Sequence, residues 1–475
     1  MNKYKKLAFN TVIFAIGSFG SKILVMLLTR LYTKNINPTD SSRKEMLELT
    51  ANLLIPIVTF CMADTLLRYG LDKMQDKRKV FTTASCICGM GLSALFVVTP
   101  ILGLIPKMEY LKGYTLLLIV YICTSTFRSL CSQFVRVRGM LKLFSFDGIL
   151  TTLTLFIFNI IFISKLGLGV KGFLLSVIFS DFLSGVFLFF VAKHYNFFHK
   201  RYFDRNLMRG MLKYAMPLIP TAIMWIVILF ANRIFIREMK SDKVFLGETA
   251  AGVYGWATKV PNLIAMVSTI FFQAWNMSAI TEHDSQDRGV FYERVFSAYQ
   301  SIMFVATGFI IASVQFITKV FVDASEFPIY KTAYLYTPLL AVGVMFMSFN
   351  NFLSSIYVAS KKTTNSFWTS LSAFSASMLL NVILIPKYGI QGASVATLSG
   401  YFLCYIIRII DTRKLVDFKV SHFNLVSNSG LLLFMCGLAI MRPYFYVPML
   451  LFSFLLIAVI NLNHIMLSVK KMMKK

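Results

Sequence analysis

The chain has 475 residues, of which 57% are apolar and 15% charged, and a mean hydropathy of +0.68. Soluble domains carry about 25% charge, so a water-soluble enzyme or binding module is excluded, and at about 20 residues per crossing the apolar content supplies a dozen or more membrane spans. The 48 Lys and Arg against 21 Asp and Glu, a formal +27, would point to a nucleic-acid partner in a soluble chain; in a polytopic one basic cytoplasmic loops account for it, and no nucleic-acid role is assigned.

Lys3, Lys5 and Lys6 precede an apolar run without a short signal core or a small-residue cleavage site, which reads as an uncleaved first span over 7–31. Spans 47–68, 81–105, 114–135, 143–164 and 171–192 follow, so residues 1–192 form an N-terminal bundle of six helices. The most polar connection, 193–211, is a cytoplasmic linker. A C-terminal bundle then occupies 212–410, with spans 212–235, 250–275, 295–318, 332–357, 366–385 and 390–410. Two additional helices lie within 424–468, separated by Arg442 and Pro443 alone. The fold class is therefore an all-α polytopic membrane protein with about fourteen transmembrane helices.

The two bundles read as a parallel repeat. The fifth span ends Asn159-Ile-Ile-Phe-Ile-Ser-Lys165 and the eleventh Asn381-Val-Ile-Leu-Ile-Pro-Lys387, and the next spans open with Gly169-Val-Lys-Gly172 and Gly389-Ile-Gln-Gly392. Six spans separate the copies, which gives both the same orientation in the membrane.

Assigning loops alternately, with Lys22, Arg30, Arg128, Arg233 and Lys259 set apart as intramembrane, puts 29 Lys and Arg on the side of the termini and 14 on the other. Positive loops stay inside, so both termini and the linker are expected in the cytoplasm. Seven cysteines are scattered and imply no disulfide framework. The five histidines have no zinc spacing, no phosphate-binding loop of the GxxxxGK[ST] type occurs, and no carboxylate cluster stands out as catalytic. The expectation is a protein that is not an enzyme and carries no metal or cofactor.

Charges inside spans are costly, even by low estimates about 2.5–3.5 kcal/mol at the bilayer centre, so they mark cavities or ion pairs. Lys22 follows the small-residue segment Gly17-Ser18-Phe19-Gly20-Ser21, Arg30 stands two turns further, and Lys259 lies between Trp256 and Pro261 in the eighth span. These three can line one cationic cavity. Arg128 and Arg233 are further candidates, with Asp64 or Asp181 as their structural partners. Trp225, Trp256 and Trp275 can pack, anchor at the interface or stack on a sugar.

In these segments, Phe14-Ala-Ile-Gly-Ser-Phe-Gly-Ser-Lys22 through Thr29-Arg30, Tyr214-Ala-Met-Pro-Leu-Ile-Pro220, Gly252-Val-Tyr-Gly-Trp-Ala-Thr-Lys259 through Phe272-Gln-Ala-Trp275, and Tyr388-Gly-Ile-Gln-Gly-Ala-Ser394, the chain resembles the bacterial polysaccharide-unit (O-antigen type) flippases of the multidrug/oligosaccharidyl-lipid/polysaccharide exporter superfamily. The resemblance implies two six-helix bundles around a central cavity and, in many members, two extra C-terminal helices. Related flippases of the peptidoglycan precursor place cations in the first, second and eighth helices around a pyrophosphate. Lys22, Arg30 and Lys259 fall in the corresponding first and eighth helices, whereas the second span carries Asp64 instead.

The expected function is translocation of undecaprenyl-pyrophosphate-linked oligosaccharide across the bacterial inner membrane for cell-surface polysaccharide, with membrane lipid, a polysaccharide polymerase and glycosyltransferases as partners. The alternatives are a cation-coupled small-molecule antiporter of the same superfamily, for which Asp64 and Asp181 are the ion-coupling candidates, and a membrane glycan polymerase or ligase.

Overall fold

A chain segment in lipid must satisfy its backbone hydrogen bonds internally, which a single segment does only as a helix. The computed structural model describes residues 7–12, 24, 28, 31–32, 38–102, 111–282, 287–321 and 328–473, and these contain helices and no strand. The protein is an all-α polytopic membrane protein. Eleven described helices are long and apolar enough to cross a membrane, and a pair bent by 47° makes a possible twelfth. Most of the expected first span lies outside the described residues.

Two compact units divide at Ile223 and Met224. The first contains α1 (Pro38–Val58), α2 (Met62–Gly70), α3 (Lys77–Leu102), α4 (Thr115–Val137), α5 (Leu141–Asn159), α6 (Gly169–Val191) and α7 (Arg205–Ala215). Together α1 and α2 form the expected second span, broken where Phe60 and Cys61 take left-handed φ of 50° and 49°. Pro56 inside α1 has no N–H to give, and the carbonyls released at the break find other neighbours. The Cys88 thiol of α3 lies 3.8 Å from the Thr59 carbonyl, and Gly91 is bare where a Cβ would fall 1.8 Å from the Val58 carbonyl.

The linker folds onto this first unit. Thr82 Oγ1 donates to the Phe197 carbonyl at 2.9 Å, and Lys79 pairs with Asp204 at 3.1 Å. Asp204 caps α7 by accepting from the amides of Asn206 and Leu207. Those bonds and Lys79 hold its carboxyl below the usual range. His194 is fully buried among Phe81, Phe134 and Phe189, with Nε2 3.1 Å from the Cys131 carbonyl. Burial pushes its imidazole down to about 4.

The second unit contains α8 (Leu218–Glu238, from Met224), α9 (Glu248–Ala257), α10 (Asn262–Thr281), α11 (Arg288–Ala312), α12 (Val314–Phe321), α13 (Thr337–Ala359), α14 (Thr363–Tyr388), α15 (Ile390–Arg413), α16 (His422–Met441) and α17 (Tyr446–Met473). The expected eighth span is not one helix: α9 stops and α10 restarts after Pro261, whose missing N–H cannot continue the ladder. Trp275 is fully buried, stacked on Phe352 at 4.3 Å and donating to Ser355 Oγ at 2.7 Å, so it belongs to the core.

The repeated segments keep their local geometry. Gly169 and Gly389 have φ of 50° and 58°. A Cβ at Gly172 would meet the Phe162 carbonyl at 2.9 Å, and one at Gly392 the Leu384 carbonyl at 2.4 Å. Each glycine thus lets its helix cross the preceding one three residues beyond the repeated asparagine. The first unit differs in one respect, since Ile160–Lys165 widens into a π-turn while α14 stays α-helical to Tyr388.

Candidate functional site

In the first unit, three helices converge on Arg128. Ser125 and Arg128 are three residues apart on α4, and Asp181 and Ser184 are three apart on α6, so each pair shares a helix face. Gly185 allows close approach, because a Cβ there would lie 3.4 Å from the Arg128 Cα. Arg128 Nε donates to Ser184 Oγ at 3.0 Å, Nη1 lies 3.5 Å from Asp181 Oδ1 and Nη2 3.5 Å from Asp147 Oδ2. Ser184 Oγ also donates to Asp147 Oδ1, and Ser125 Oγ to Asp181 Oδ2. The Asp147 side chain is 1% exposed, that of Arg128 29%.

The chemistry of this cluster follows from its count of charges. Two ionised carboxylates against one guanidinium leave one negative charge in surroundings where an uncompensated charge is expensive. A proton or a small cation would neutralise it. Of the partners the sequence leaves open to Arg128, Asp64 or Asp181, the structure supplies Asp181, and Asp147 completes the set. Asp64 stands apart in the first turn of α2, and the cation whose charge reaches it is Arg136 of α4.

In the second unit, the break in the eighth span governs the cations. The Thr258 amide bonds the Tyr254 carbonyl at 3.1 Å and the Lys259 amide bonds that of Trp256 at 3.0 Å, which closes α9. Lys259 then stands exposed in the turn instead of inside a continuous helix. Arg233 of α8 is half-buried, and a Cβ at Gly255 would lie 3.8 Å from its Nη2. Gly255 and Lys259 are one turn apart in sequence, so the structure brings Arg233 to the segment that ends in Lys259.

The residue before Arg233 points into the core. Asn232 Nδ2 donates to Tyr254 Oη and Thr397 Oγ1, both at 2.7 Å, and Asn381 Nδ2 donates to Asn232 Oδ1 at 2.6 Å. This buried network fixes α8 against α9, α14 and α15, and with it the origin of the Arg233 side chain. Lys22 and Arg30 lie outside the described residues. Arg408 was not anticipated: it is 1% exposed and bonds the Asn350 carbonyl at 2.8 Å, Ser370 Oγ at 2.8 Å and Thr369 Oγ1 at 3.0 Å. An arginine inside the apolar run 390–410 was its sequence signal. No group of three or more His, Cys, Asp or Glu among the described residues is arranged to hold a metal ion.

No family model matches the chain. Two uncharacterized membrane proteins of Methanocaldococcus jannaschii are similar, one 32% identical over 19% of this chain and 18% of its own length, the other 24% identical over 54% and 62%. The chain thus spans less than two thirds of either relative. Among solved structures, an outward-facing multidrug resistance MATE family transporter of the MOP superfamily superposes with a TM-score of 0.73 at 13% identity, covering 87% of this chain and 96% of that one. The chain has the MOP transporter fold. A MOP superfamily transporter from Pyrococcus furiosus, described as having a binding pocket of reverse polarity that suggests a different function, superposes at 0.72 with 14% identity over the same shares. The MATE transporter of Vibrio cholerae does so at 0.70 and 13%, again over the same shares. The solved neighbours named here are all described as transporters.

Proposed function

We propose that this MOP-fold protein translocates a polyprenyl-pyrophosphate-linked oligosaccharide, undecaprenyl in a bacterial inner membrane, from the cytoplasmic to the outer leaflet. The observation that carries the reading is the pair of cations at the eighth span, Arg233 beside Gly255 and Lys259 at the end of the same turn. A pyrophosphate headgroup loses hydration on leaving the interface, and ammonium and guanidinium donors replace part of it. Lysine is a point charge without a fixed fork, which suits release as well as capture. Arg128 would remain structural. At about 2.3 kcal/mol per charge per 100 mV, two negative charges leaving a negative interior are driven outward by the membrane potential. A polymerase would use the product and glycosyltransferases would supply the substrate. Both termini are cytoplasmic in this scheme.

The test is made in cells lacking their own flippase for a defined surface glycan. Lys259→Gln and Arg233→Gln should leave lipid-linked glycan on the cytoplasmic face at normal protein abundance, while Lys259→Arg retains part of the surface glycan. Undiminished surface glycan in the double Gln variant would remove these residues from the function.

A second reading is favoured by a different observation. The paired carboxylates of Asp147 and Asp181 on Arg128 suit a proton or cation site, and two of the solved neighbours cited are described as MATE transporters, one of them as a multidrug resistance protein. On this reading the chain is a cation-coupled small-molecule antiporter, and the comparisons alone lean towards it. Asp181→Asn would then abolish drug efflux driven by an ion gradient. Failure of the parent protein to move any cationic drug under proton or sodium gradients would exclude it.

A further inference from the structure

We propose that the segment 194–213, fixed on the first unit, is a binding ledge for anionic phospholipid headgroups. The segment is tied down along its length. His194 bonds the Cys131 carbonyl, the Phe197 carbonyl and the His199 amide meet Thr82 Oγ1, Arg78 donates to Tyr202 Oη at 3.1 Å, and the Asp204 amide bonds Thr83 Oγ1 at 3.4 Å. Apart from Cys131 of α4, these anchors belong to the first two turns of α3, the start of a membrane span at Lys77. The ledge is therefore held at the level where a span enters lipid.

Its chemistry matches that level. Arg205, Arg209 and Lys213 recur every fourth residue of α7, so they form one stripe, and all three are exposed. The opposite face carries Met211 and Tyr214, buried, with Tyr214 edge-on to Tyr69 at 5.9 Å. Lys200 is also exposed, between Phe198 at 45% and Phe203 at 41%. Exposed aromatics interleaved with cations are the composition of a headgroup interface. The neighbouring acids are already engaged: Asp204 by Lys79 and the α7 amides, Asp72 by Arg68 at 3.7 Å, and Asp76 by the Arg78 amide at 2.8 Å. Among the described residues no carboxylate pairs with Arg205, Arg209, Lys213 or Lys200, so their charge is directed to an external anion. Clustered Lys and Arg beside a span attract anionic lipid, and salt weakens that attraction.

The experiment uses the full purified chain in neutral detergent, with its melting temperature followed as phosphatidylglycerol or phosphatidylcholine is added. Phosphatidylglycerol should raise the melting temperature by more than phosphatidylcholine, and 0.5 M NaCl, where the Debye length is roughly 4 Å, should remove most of the difference. The triple variant Arg205→Gln, Arg209→Gln, Lys213→Gln should lose at least half of it. A companion carrying Arg205→Lys and Arg209→Lys keeps the charge and should keep the response, which separates charge from folding. An unreduced phosphatidylglycerol response in the triple Gln variant, or no lipid preference in the parent, overturns the proposal. An equal response to soluble polyglutamate would overturn it too, by assigning the ledge to an acidic polypeptide.

Discussion

Asp147 and Thr369 occupy equivalent positions of the two units, each twelve residues before its repeated asparagine, Asn159 or Asn381. The equivalence extends to the neighbours. α4 and α13 are both 23 residues long and both begin with threonine, which sets Arg128 against Asn350; counting from Gly172 and Gly392 sets Ser184 against Cys404. In the first unit Ser184 donates to the Asp147 carboxylate, and in the second Cys404 lies 3.3 Å from the Thr369 carbonyl. One three-helix junction thus holds an ionic cluster in one copy and neutral side chains around Arg408 in the other.

Removing the cation from the ionic copy should be costly. Arg128→Met strands Asp147 and Asp181, and breaking a buried pair in this way typically costs about 3–5 kcal/mol. Denaturant unfolding of the purified protein measures it. Adding Asp147→Asn and Asp181→Asn to Arg128→Met should restore part of the loss; an equal or greater loss in the triple variant would contradict the pairing.

The repeated glycines give a graded prediction. Gly172→Ala and Gly392→Ala each force a methyl group against a backbone carbonyl, at 2.9 and 2.4 Å before any relaxation. Overpacking of this kind costs about 1–3 kcal/mol. The Gly392 variant should melt at the lower temperature, and the reverse order would mean that α15 gives way more easily than α6.

At Gly255 the expected outcome depends on size. A Cβ would sit 3.8 Å from Arg233, an ordinary contact, so Gly255→Ala should leave abundance and transport near those of the parent. Gly255→Leu should displace the guanidinium and reduce transport several-fold with little loss of protein. Full transport in the Leu variant would separate Arg233 from the function.

His194 makes stability depend on pH. Its folded value of about 4 lies below the ordinary 6.5, so the unfolded chain binds the proton more readily and acid favours unfolding. The stabilisation from a neutral His194 is complete above about 6.5 and is lost as the pH falls towards 4, amounting to about 3 kcal/mol across the window. The difference between parent and His194→Phe in unfolding free energy should change over that window and flatten above it. A pH-independent difference would show that the imidazole is not the titrating group.

The spans were legible in the sequence because an apolar run of twenty residues in lipid has one way to satisfy its backbone. Pro261 was visible as a source of bending, but the sequence did not show that α9 would close before it and leave Lys259 in a turn. Asp147 lies five residues beyond Lys142 near the start of an apolar run, where a charge can be satisfied by reaching for the interface. Only the convergence of α4, α5 and α6 shows that it turns inward to Arg128. Arg408, near the end of its run and close to Asp411 and Arg413, was obscured for the same reason. The Asn232 network carries no charge, so the pattern of intramembrane charges does not mark it.

The π-turn at Ile160–Lys165 bears on how the two repeated segments differ in length. Three residues separate Lys165 from Gly169, whereas Tyr388 alone separates Lys387 from Gly389. The first copy is longer by two residues, and the surplus is taken up where the Leu166 amide bonds the Ile161 carbonyl, five residues back, and the Leu168 amide bonds that of Phe162, six back. Widening a helix absorbs added chain without rotating the glycine crossing that follows. Excising two residues from 166–168 should therefore give a plain α-helical connection and leave the contact of Gly172 with Phe162 intact.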